Sequence, residues 1–429
     1  MKILETERDP MDQIRAALAA EIGMPSAKVQ EIVREILADV RQRGDEAVIE
    51  LERKLDAPEM TDLRVGESEF EAAYRDIRPE LLAAFREAKR NIEAFHQKQA
   101  QKSWMEMHDD FTYGQVVRPL DAVGMYVPAV SAPLYSTVFM TAIPAQVAGV
   151  RRLVMCSPPR RDGTIDGPML VAAKECGVNE VYKLGGAVAV GAMAFGTATV
   201  PRVDKIVGPG NPYFIEAKRQ VYGIVGIDQL AGPSEVLVLA DDSADPAFIA
   251  ADLLAQAEHA ADSRCVLVTN SRKLADDVLR EVKAQTDVAP RADCIRQSLA
   301  DYGVIVIGRD MDECVDLANL FAPEHLQIET AEPWEMLRKV RNAGTIMVGH
   351  FTPVPLCDFA AGPNHTLPTA GTARFASALG VDDFIKKSGL LSYTRKALGE
   401  IAPTVLEMAN AEGLDAHANT VRIRIQRHE

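Results

Sequence analysis

Four of the eight histidines lie in segments that also carry glycine, proline or acidic residues: His259, His325, His365 and His417. An imidazole near neutral pH can bind a metal, transfer a proton or position a substrate. The four segments are far apart in the chain, so spacing alone does not show that they meet. Each segment is therefore a separate candidate for chemistry.

The segment Gln256-Ala257-Glu258-His259 ends a predicted helix. Gln256 and His259 are three residues apart and share one helical face. An imidazole beside an oxygen donor is half of a site for a borderline metal such as zinc. A solvated helix end with a capping histidine is the alternative for this pair.

A second pair, Glu324 and His325, follows a predicted helix and precedes a strand-like run at 326–328. An adjacent Glu and His can divide acid and base work, because their usual pKa values differ and the imidazole titrates near neutrality. The position in a loop between two elements favours a functional role. A pair on the protein surface is the alternative.

Two further segments hold the remaining candidates. Residues 358–369 contain Asp358, Asn364 and His365 without a periodic core pattern, and a loop of this length is usually functional. Residues 412–417 carry Glu412 and His417 after a helical run at 401–410, where a glycine can end the helix. Plain surface connections are the alternative for both.

Two glycine-rich turns connect predicted strands to predicted helices: Gly185-Gly186 and Gly208-Pro209-Gly210-Asn211. Backbone N–H groups in such turns can approach an anion, and a helix N-terminus favours negative charge. Neither turn has the GxGxxG spacing of a dinucleotide fingerprint. Tight turns without a ligand are the alternative.

The elements around these segments alternate. Helical spacing of apolar residues predicts one helical region at 28–56 and another at 68–101, so that the chain up to about residue 105 is mainly helical. Short β-rich runs follow at 122–127, 152–156, 180–184, 205–207, 235–239, 265–269, 304–307 and 345–348. Helices are predicted between most of them, including 245–259 and 311–321. The chain is expected to be helical again from about residue 381 and to end in a β-like run at 421–425.

Strand–helix alternation predicts an α/β fold with parallel sheets, and the number of strands predicts two sheets. A chain of 429 residues is too long for one ordinary core. A net charge of -15 argues against nucleic-acid binding. No apolar run is long enough to span a membrane, no signal peptide is present, and the six cysteines form no CxxC pair, so a cytoplasmic location is expected.

The sequence resembles the histidinol dehydrogenase family over essentially its whole length. The resemblance rests on stretches that match in order and spacing: Tyr126-Val127-Pro128, Ser136-Thr137, Gly208-Pro209-Gly210-Asn211, Glu216-Ala217-Lys218-Arg219-Gln220-Val221, Gly232-Pro233-Ser234-Glu235, Gln256-Ala257-Glu258-His259, Ala322-Pro323-Glu324-His325-Leu326, Gly362-Pro363-Asn364-His365, Leu367-Pro368-Thr369, Glu412-Gly413-Leu414 and Ala416-His417. It implies zinc-dependent oxidation of L-histidinol to L-histidine through an aldehyde with two NAD, the last step of histidine biosynthesis.

The resemblance also implies roles for individual residues. It implies zinc ligation by four side chains: Gln256, His259, Asp358 and His417. Glu324 and His325 resemble the acid/base pair. Substrate contacts include the zinc ligands, His325 and three further residues: Ser234, His365 and Glu412. Tyr126 and Asn211 resemble nucleotide contacts. The family is a homodimer, so Glu412 and His417 are expected to act in the partner's site.

Three positions on the nucleotide side depart from the family pattern: Ala129, Val130 and Val188. The first two replace glycines, which permit close approach of a cofactor, and Val188 replaces a Gln that could donate hydrogen bonds to it. A smaller departure is Ala260. Two other hypotheses follow: a family paralogue that oxidises another small alcohol with NAD, or a zinc protein with altered or lost NAD use, including a non-redox enzyme or a ligand-binding protein.

By the resemblance, the fold is expected to contain two Rossmann-like domains with helical ends. The predicted divisions are an N-terminal extension at 1–23, a first α/β domain at 24–125 plus 235–378, a second, nucleotide-side α/β domain at 126–234, and a helical tail at 379–429.

Overall fold

The structure is a computed structural model that describes residues 1–19, 25–129 and 133–426. The chain divides into two compact units. The first comprises Met1–Gln99 and Leu120–Phe384, and the second comprises Ala100–Pro119 and Ile385–Glu429. Among the described residues, no helix is long and apolar enough to cross a membrane.

The strands, in chain order, are β1 Lys2–Glu5, β2 Trp104–Met107, β3 Phe111–Pro119, β4 Ala122–Tyr126, β5 Arg152–Ser157, β6 Glu180–Lys183, β7 Lys205–Val207, β8 Gly226–Ile227, β9 Glu235–Ala240, β10 Arg264–Thr269, β11 Val304–Ile307, β12 His325–Glu329, β13 Thr345–Val348 and β14 Ile385–Tyr393. The helices are α1 Met11–Leu18, α2 Ala27–Arg43, α3 Asp45–Leu55, α4 Glu67–Asp76, α5 Pro79–Gln97, α6 Tyr135–Ala148, α7 Gly167–Glu175, α8 Gly186–Phe195, α9 Pro212–Val221, α10 Pro246–Ala257, α11 Arg272–Thr286, α12 Ala292–Asp301, α13 Met311–Phe321, α14 Pro333–Leu337, α15 Val354–Phe359, α16 Arg395–Ala411 and α17 Asp415–Gln426.

A six-stranded parallel sheet in the first unit has the order β1-β11-β10-β9-β12-β13. Its inner strands are runs of Val, Ile and Leu that are buried along their length, as expected for a parallel sheet covered by helices on both faces. Helices α10, α11 and α12 pack on one face, and α1 and α13 pack on the other. The strand β1 lies at the edge, in a part of the chain that was predicted to be mainly helical.

A five-stranded parallel sheet, also in the first unit, has the order β6-β5-β4-β7-β8. Helices α4 to α7 cover one face, while α2, α3, α8 and α9 cover the other. Two parallel sheets with helices at both ends of the chain confirm the predicted α/β class. The predicted grouping of residues 24–125 with 235–378 differs from this packing, because helices α2 to α5 bury their apolar faces on the five-stranded sheet.

The second unit contains an antiparallel sheet with the order β14-β3-β2, followed by α16 and α17. Two predictions are wrong here. The region after residue 381 has only a short 3₁₀ helix at Val381–Phe384 before the strand β14, and the β-like run at 421–425 lies inside helix α17. Alternating Arg and Ile in that run resembles a half-buried strand, but Val421 is its one buried side chain and α17 packs on α16.

The two long helical regions near the N-terminus are each divided in two. Gly44 separates α2 from α3 with a φ of 58°, a left-handed conformation that glycine adopts without strain. Pro79 starts α5 after the extended residue Arg78, because a proline disfavours helix in the residue before it. The predicted strands near the candidate site agree with the observed bounds to within one residue.

Candidate active site

His325 is the first residue of β12 and is 4% exposed. Its Nδ1 lies 2.9 Å from the carbonyl oxygen of Glu235 on the neighbouring strand β9. A carbonyl only accepts, so Nδ1 carries a proton and the neutral ring presents an unprotonated Nε2. This Nε2 is buried, lies 3.5 Å from Asp358 Oδ1, and has no hydrogen-bond partner among the residues that the structure describes. Whenever the ring is neutral, this tautomer has a lone pair on Nε2 that can act as a base.

Glu324 precedes the strand and is 6% exposed. Its Oε2 accepts a hydrogen bond of 2.7 Å from the backbone N–H of Glu235 and lies 3.6 Å from Nδ1 of His325. Burial opposes protonation of His325, but the neighbouring carboxylates of Glu324 and Asp358 raise the pKa of His325 well above its usual value. The predicted acid/base pair is thus a buried pair, and the surface alternative is wrong for both residues.

Asp358 lies on the short helix α15 rather than in an irregular loop. Burial opposes its ionisation, but the nearby His325, with smaller effects of His365 and His259, lowers the pKa of Asp358 below its usual value. Its Oδ1 is buried, lies 3.5 Å from Nε2 of His325 and lacks a hydrogen-bond partner in the described part of the chain. An ionised carboxylate oxygen without a hydrogen-bond partner suits a cation.

Gln256 and His259 lie at the C-terminal end of α10. Asp245 starts this helix by accepting a hydrogen bond of 2.8 Å from the N–H of Ala247, and a proline follows the cap. Gln256 is 2% exposed, whereas His259 lies just beyond the helix and is exposed, with its N–H donating to the carbonyl of Gln256.

A zinc ion fits this donor set in its chemistry. Gln256, His259 and Asp358 belong to the first unit and offer oxygen and nitrogen donors without thiolate, a combination suited to a borderline divalent metal. Within residues 1–19, 25–129 and 133–426, no group of three or more His, Cys, Asp or Glu side chains is placed to hold a metal by itself. The first unit contributes two such side chains and one amide, so a further ligand is needed.

The other predicted substrate residues are divided between the two units. In the first unit, His365 is held through Nε2 by the hydroxyl of Ser136 at 3.0 Å, and burial lowers the pKa of His365. Ser234 immediately precedes β9 and is partly buried. Glu412 and His417 belong to the second unit and are exposed there, at the end of α16 and in α17.

The Gly185-Gly186 turn leads from β6 into α8, as predicted, but its N–H groups are occupied. The N–H of Gly185 donates to Oε1 of Glu52 at 2.8 Å, and the N–H of Gly186 donates to the hydroxyl of Tyr126 at 3.0 Å. Tyr126 is 2% exposed, and Val188 is 1% exposed in the same hydrophobic cluster. The expectation that this turn is open to an anion is therefore wrong.

In the second glycine turn, a backbone N–H group also donates to a carboxylate of the chain itself. The N–H of Gly208 donates to Oδ2 of Asp228 at 2.8 Å, and Asp228 pairs with the buried Lys218. Asn211 caps α9 by accepting from the N–H of Phe214 at 3.0 Å, while its own position is exposed. Of the departures on this side, Ala129 packs against a core cluster, and Val130 lies outside the described residues.

Two further groups near the site had no predicted role. Glu235 supplies the backbone contacts to both members of the acid/base pair. Gln327 donates to Oδ2 of Asp252 at 2.7 Å and to Oε1 of Glu329 at 3.4 Å, all three being buried. The available signal was polar residues at every second position of a buried strand, as in His325, Gln327 and Glu329.

Comparisons with known proteins identify the family of this chain. The family model described as histidinol dehydrogenase matches residues 22–425. The histidinol dehydrogenase of Halalkalibacterium halodurans is 48% identical over 398 residues, which is 92% of this chain and 94% of that protein. That of Gloeobacter violaceus is 47% identical over 416 residues, covering 96% of this chain and 94% of the relative.

The fold agrees as well. The crystal structure of histidinol dehydrogenase from Elizabethkingia anophelis superposes with a TM-score of 0.94 at 37% identity, covering 100% of this chain and 98% of that one. Sequence and fold agree over nearly the full length, and the chain belongs to the histidinol dehydrogenase family.

Proposed function

We propose that this chain oxidises L-histidinol to L-histidine through L-histidinaldehyde, with zinc and two NAD, in the last step of histidine biosynthesis. Family membership supports an NAD-dependent oxidoreductase. At the site, one observation carries the proposal: His325 is fixed as the tautomer whose free Nε2 is buried beside Asp358. A proton acceptor next to a ligand-type carboxylate is what oxidation of a metal-held alcohol requires.

We assign the metal to Gln256, His259 and Asp358, with the partner subunit's His417 as the further ligand. The buried amide, the exposed imidazole and the unpartnered carboxylate oxygen support this set. When bound, zinc would hold the amino and imidazole nitrogens of the substrate and so orient its alcohol carbon.

The acid/base pair would act in two stages. Nε2 of His325 accepts the proton of the alcohol as hydride leaves the carbon. Glu324 then accepts a proton from the water that adds to the aldehyde, and a second hydride leaves. The charges of Glu324 and Asp358 stabilise the imidazolium that forms on His325, which favours proton abstraction.

Substrate recognition is assigned to Ser234 and His365 of one subunit and to Glu412 of the partner subunit. A carboxylate suits a cationic amino alcohol with an imidazole, and it would repel an anionic substrate such as a sulfonate. Nucleotide contacts are assigned to Tyr126 and Asn211. Because both glycine turns are filled by carboxylates of the chain itself, NAD phosphates are expected to bind elsewhere on the nucleotide side.

A homodimer with shared sites is part of the proposal. The second unit exposes large apolar side chains on β2 and α16, including Trp104 at 51%, Met107 at 73% and Met408 at 61%. Apolar patches of this kind usually mark an interface. We assign a second copy of the chain as the partner, which would bring Glu412 and His417 to the neighbouring site. No nucleic-acid or membrane partner is proposed.

The experiment separates the proposed activity from the two alternatives. Zinc-loaded protein is given NAD with L-histidinol or with a panel of other small alcohols, and NADH is followed by absorbance. NADH from L-histidinol supports the proposal, while NADH from another alcohol alone identifies a paralogue with a different substrate. A calorimetric titration without saturable NAD binding would identify a non-redox zinc protein.

A further inference from the structure

Glu235 is a charged residue where the fold offers little reason for one. It begins β9, whose six residues are all buried, and it is 1% exposed. Burying a carboxylate is costly unless its surroundings compensate. A glutamate at the head of a central strand therefore calls for a functional explanation.

The backbone of Glu235 holds both members of the acid/base pair. Its N–H donates to Oε2 of Glu324 at 2.7 Å, and its carbonyl accepts from Nδ1 of His325 at 2.9 Å. Displacement of this single residue would move the carboxylate and turn the imidazole together. Sub-ångström placement of such groups is worth large factors in rate.

The side chain of Glu235 is held by several neighbours, including Glu324 itself, whose backbone N–H contributes a hydrogen bond to the carboxyl group. Oε1 lies 3.9 Å from Nη1 of Arg264, which itself donates to the carbonyls of Ala17 and Ala19. The backbone N–H of Ala370 also contributes a hydrogen bond to the carboxyl group. Oε2 has no hydrogen-bond partner in the described parts of the chain.

The backbone around the site is strained in a way that fits this contact. Ala370 has a φ of 52° and Ala322, two residues before Glu324, has a φ of 53°; among described residues these are the non-glycine residues with positive φ. Such conformations are unfavourable for a residue with a Cβ and persist where surrounding structure holds them. One of them carries the N–H that Glu235 uses, and the other leads into the acid/base pair.

The charge of Glu235 is expected to change with pH near neutrality. Burial and the nearby charge of Glu324 raise the pKa of Glu235 to about 7, against the opposing charge of Arg264. The charged and titratable groups that face it are Glu324 and His325 from β12 and Arg264 from β10. A buried glutamate that titrates near neutrality beside an acid/base pair is typical of a functional site.

We propose that Glu235 is a positioning residue of the acid/base pair, which fixes Glu324 and His325 through its peptide groups and, through its carboxylate, stabilises the positive charge that His325 acquires when it accepts a proton. The proposal rests on the proposed function. An ionised Glu235 adds negative charge beside the pair, so proton abstraction by His325 becomes easier. A neutral Glu235 removes that contribution.

The test is Glu235→Gln, which keeps the shape and the backbone contacts but stays neutral. We expect kcat to fall about tenfold at alkaline pH, with KM, zinc content and Tm close to wild type, because one pKa unit lost by a base corresponds to that factor. The rise of kcat through pH values near 7 should flatten, and Glu235→Asp should restore part of it. The matched control is Glu175→Gln, a half-buried glutamate at the end of α7 that pairs with Arg86, and its kcat–pH profile should match wild type.

A second measurement needs no turnover. Infrared difference spectra of the zinc-loaded protein between acidic and alkaline pH should show a glutamic acid band that titrates near neutrality, persists in Glu175→Gln and is lost in Glu235→Gln. An unchanged kcat–pH profile in Glu235→Gln, or a band that survives the substitution, would overturn the proposal. A protein that shows the band but does not oxidise L-histidinol would instead contradict the proposed function, while supporting the titration of Glu235.

Discussion

At the scale of single residues, Glu324 and His325 are consecutive, and yet each has its own environment. Neighbouring residues at the start of a strand point in different directions. Glu324 receives the N–H of Glu235, while His325 donates to the carbonyl of Glu235 and turns Nε2 toward Asp358. This division suits the two proposed proton transfers, from the alcohol to the imidazole and from water to the carboxylate.

Substitution of the pair should separate the two oxidation steps. We expect His325→Asn to lower kcat for L-histidinol by a factor of about 10²–10⁴, the usual contribution of a general base. Glu324→Gln should lower the oxidation of L-histidinaldehyde by a similar factor and reduce alcohol oxidation much less. The measurement is NADH formation from each substrate separately. Equal losses in both steps for Glu324→Gln would contradict the assigned roles.

Asp358 is expected to be needed for the metal and not for the fold. Asp358→Asn keeps the size of the side chain and removes the charge of the unpartnered Oδ1, so zinc affinity should fall by at least about tenfold. Zinc binding is measured by titration against a chelating dye, with circular dichroism as the check on folding. Asp277→Asn, an exposed-helix carboxylate paired with Lys273, is the control. Unchanged zinc affinity in Asp358→Asn would remove this residue from the ligand set.

At the scale of elements, the site depends on the packing of α10 against β12. Gln327 and Glu329 lie on the face of β12 that meets Asp252 of α10, and Gln256 is one helical turn beyond Asp252. The polar contacts between the two elements therefore help to set where Gln256 stands relative to His325.

Glu329 should make stability depend on pH. Burial, then the charge and hydrogen bond of Asp252, raise the pKa of Glu329 from 4.5 to about 9. Between these values the folded protein keeps a proton that the unfolded chain has released, so the free energy of unfolding falls as pH rises. We expect Glu329→Gln to lose less stability than wild type between about pH 6 and pH 9, by a few degrees in Tm. Parallel Tm curves for the two proteins would contradict this.

The sequence predicted the elements near the site well. Strands such as β9, β11 and β12 are short apolar runs that a parallel sheet buries on both faces, so their bounds were visible. The strands β2, β3 and β14 were missed because their residues are mostly exposed or partly buried and show no apolar run. The pairing of β14 with β3 also joins segments more than 260 residues apart, which local patterns do not reveal.

The site residues also divide into those with a local sequence pattern and those that come from distant parts of the chain. Local patterns proposed Gln256 with His259 and Glu324 with His325, and the structure places Oδ1 of Asp358 3.5 Å from Nε2 of His325. Only the family resemblance named Asp358 and His417 as ligands. The state of the two glycine turns could not be predicted from their motifs. The carboxylates of Glu52 and Asp228, which accept hydrogen bonds from the turn N–H groups, lie elsewhere in the chain.

At the scale of the whole molecule, the proposed function requires two subunits for a complete site. We predict that His325→Asn and His417→Asn proteins are each nearly inactive, and that subunits mixed through unfolding and refolding recover about a quarter of wild-type activity. Random mixing makes half of the dimers hybrid, and each hybrid has one intact site if His417 acts in the partner. No recovery in the mixture, with dimers confirmed by light scattering, would show that His417 acts within its own chain or elsewhere.

The most direct test of the central claim is the stoichiometry of the reaction with and without zinc. Purified, zinc-loaded protein is incubated with limiting L-histidinol and excess NAD at alkaline pH, and NADH and L-histidine are measured at the end. We predict two NADH and one L-histidine for each L-histidinol consumed, with activity abolished by a chelator and restored by zinc. No NADH from L-histidinol with zinc bound would contradict it.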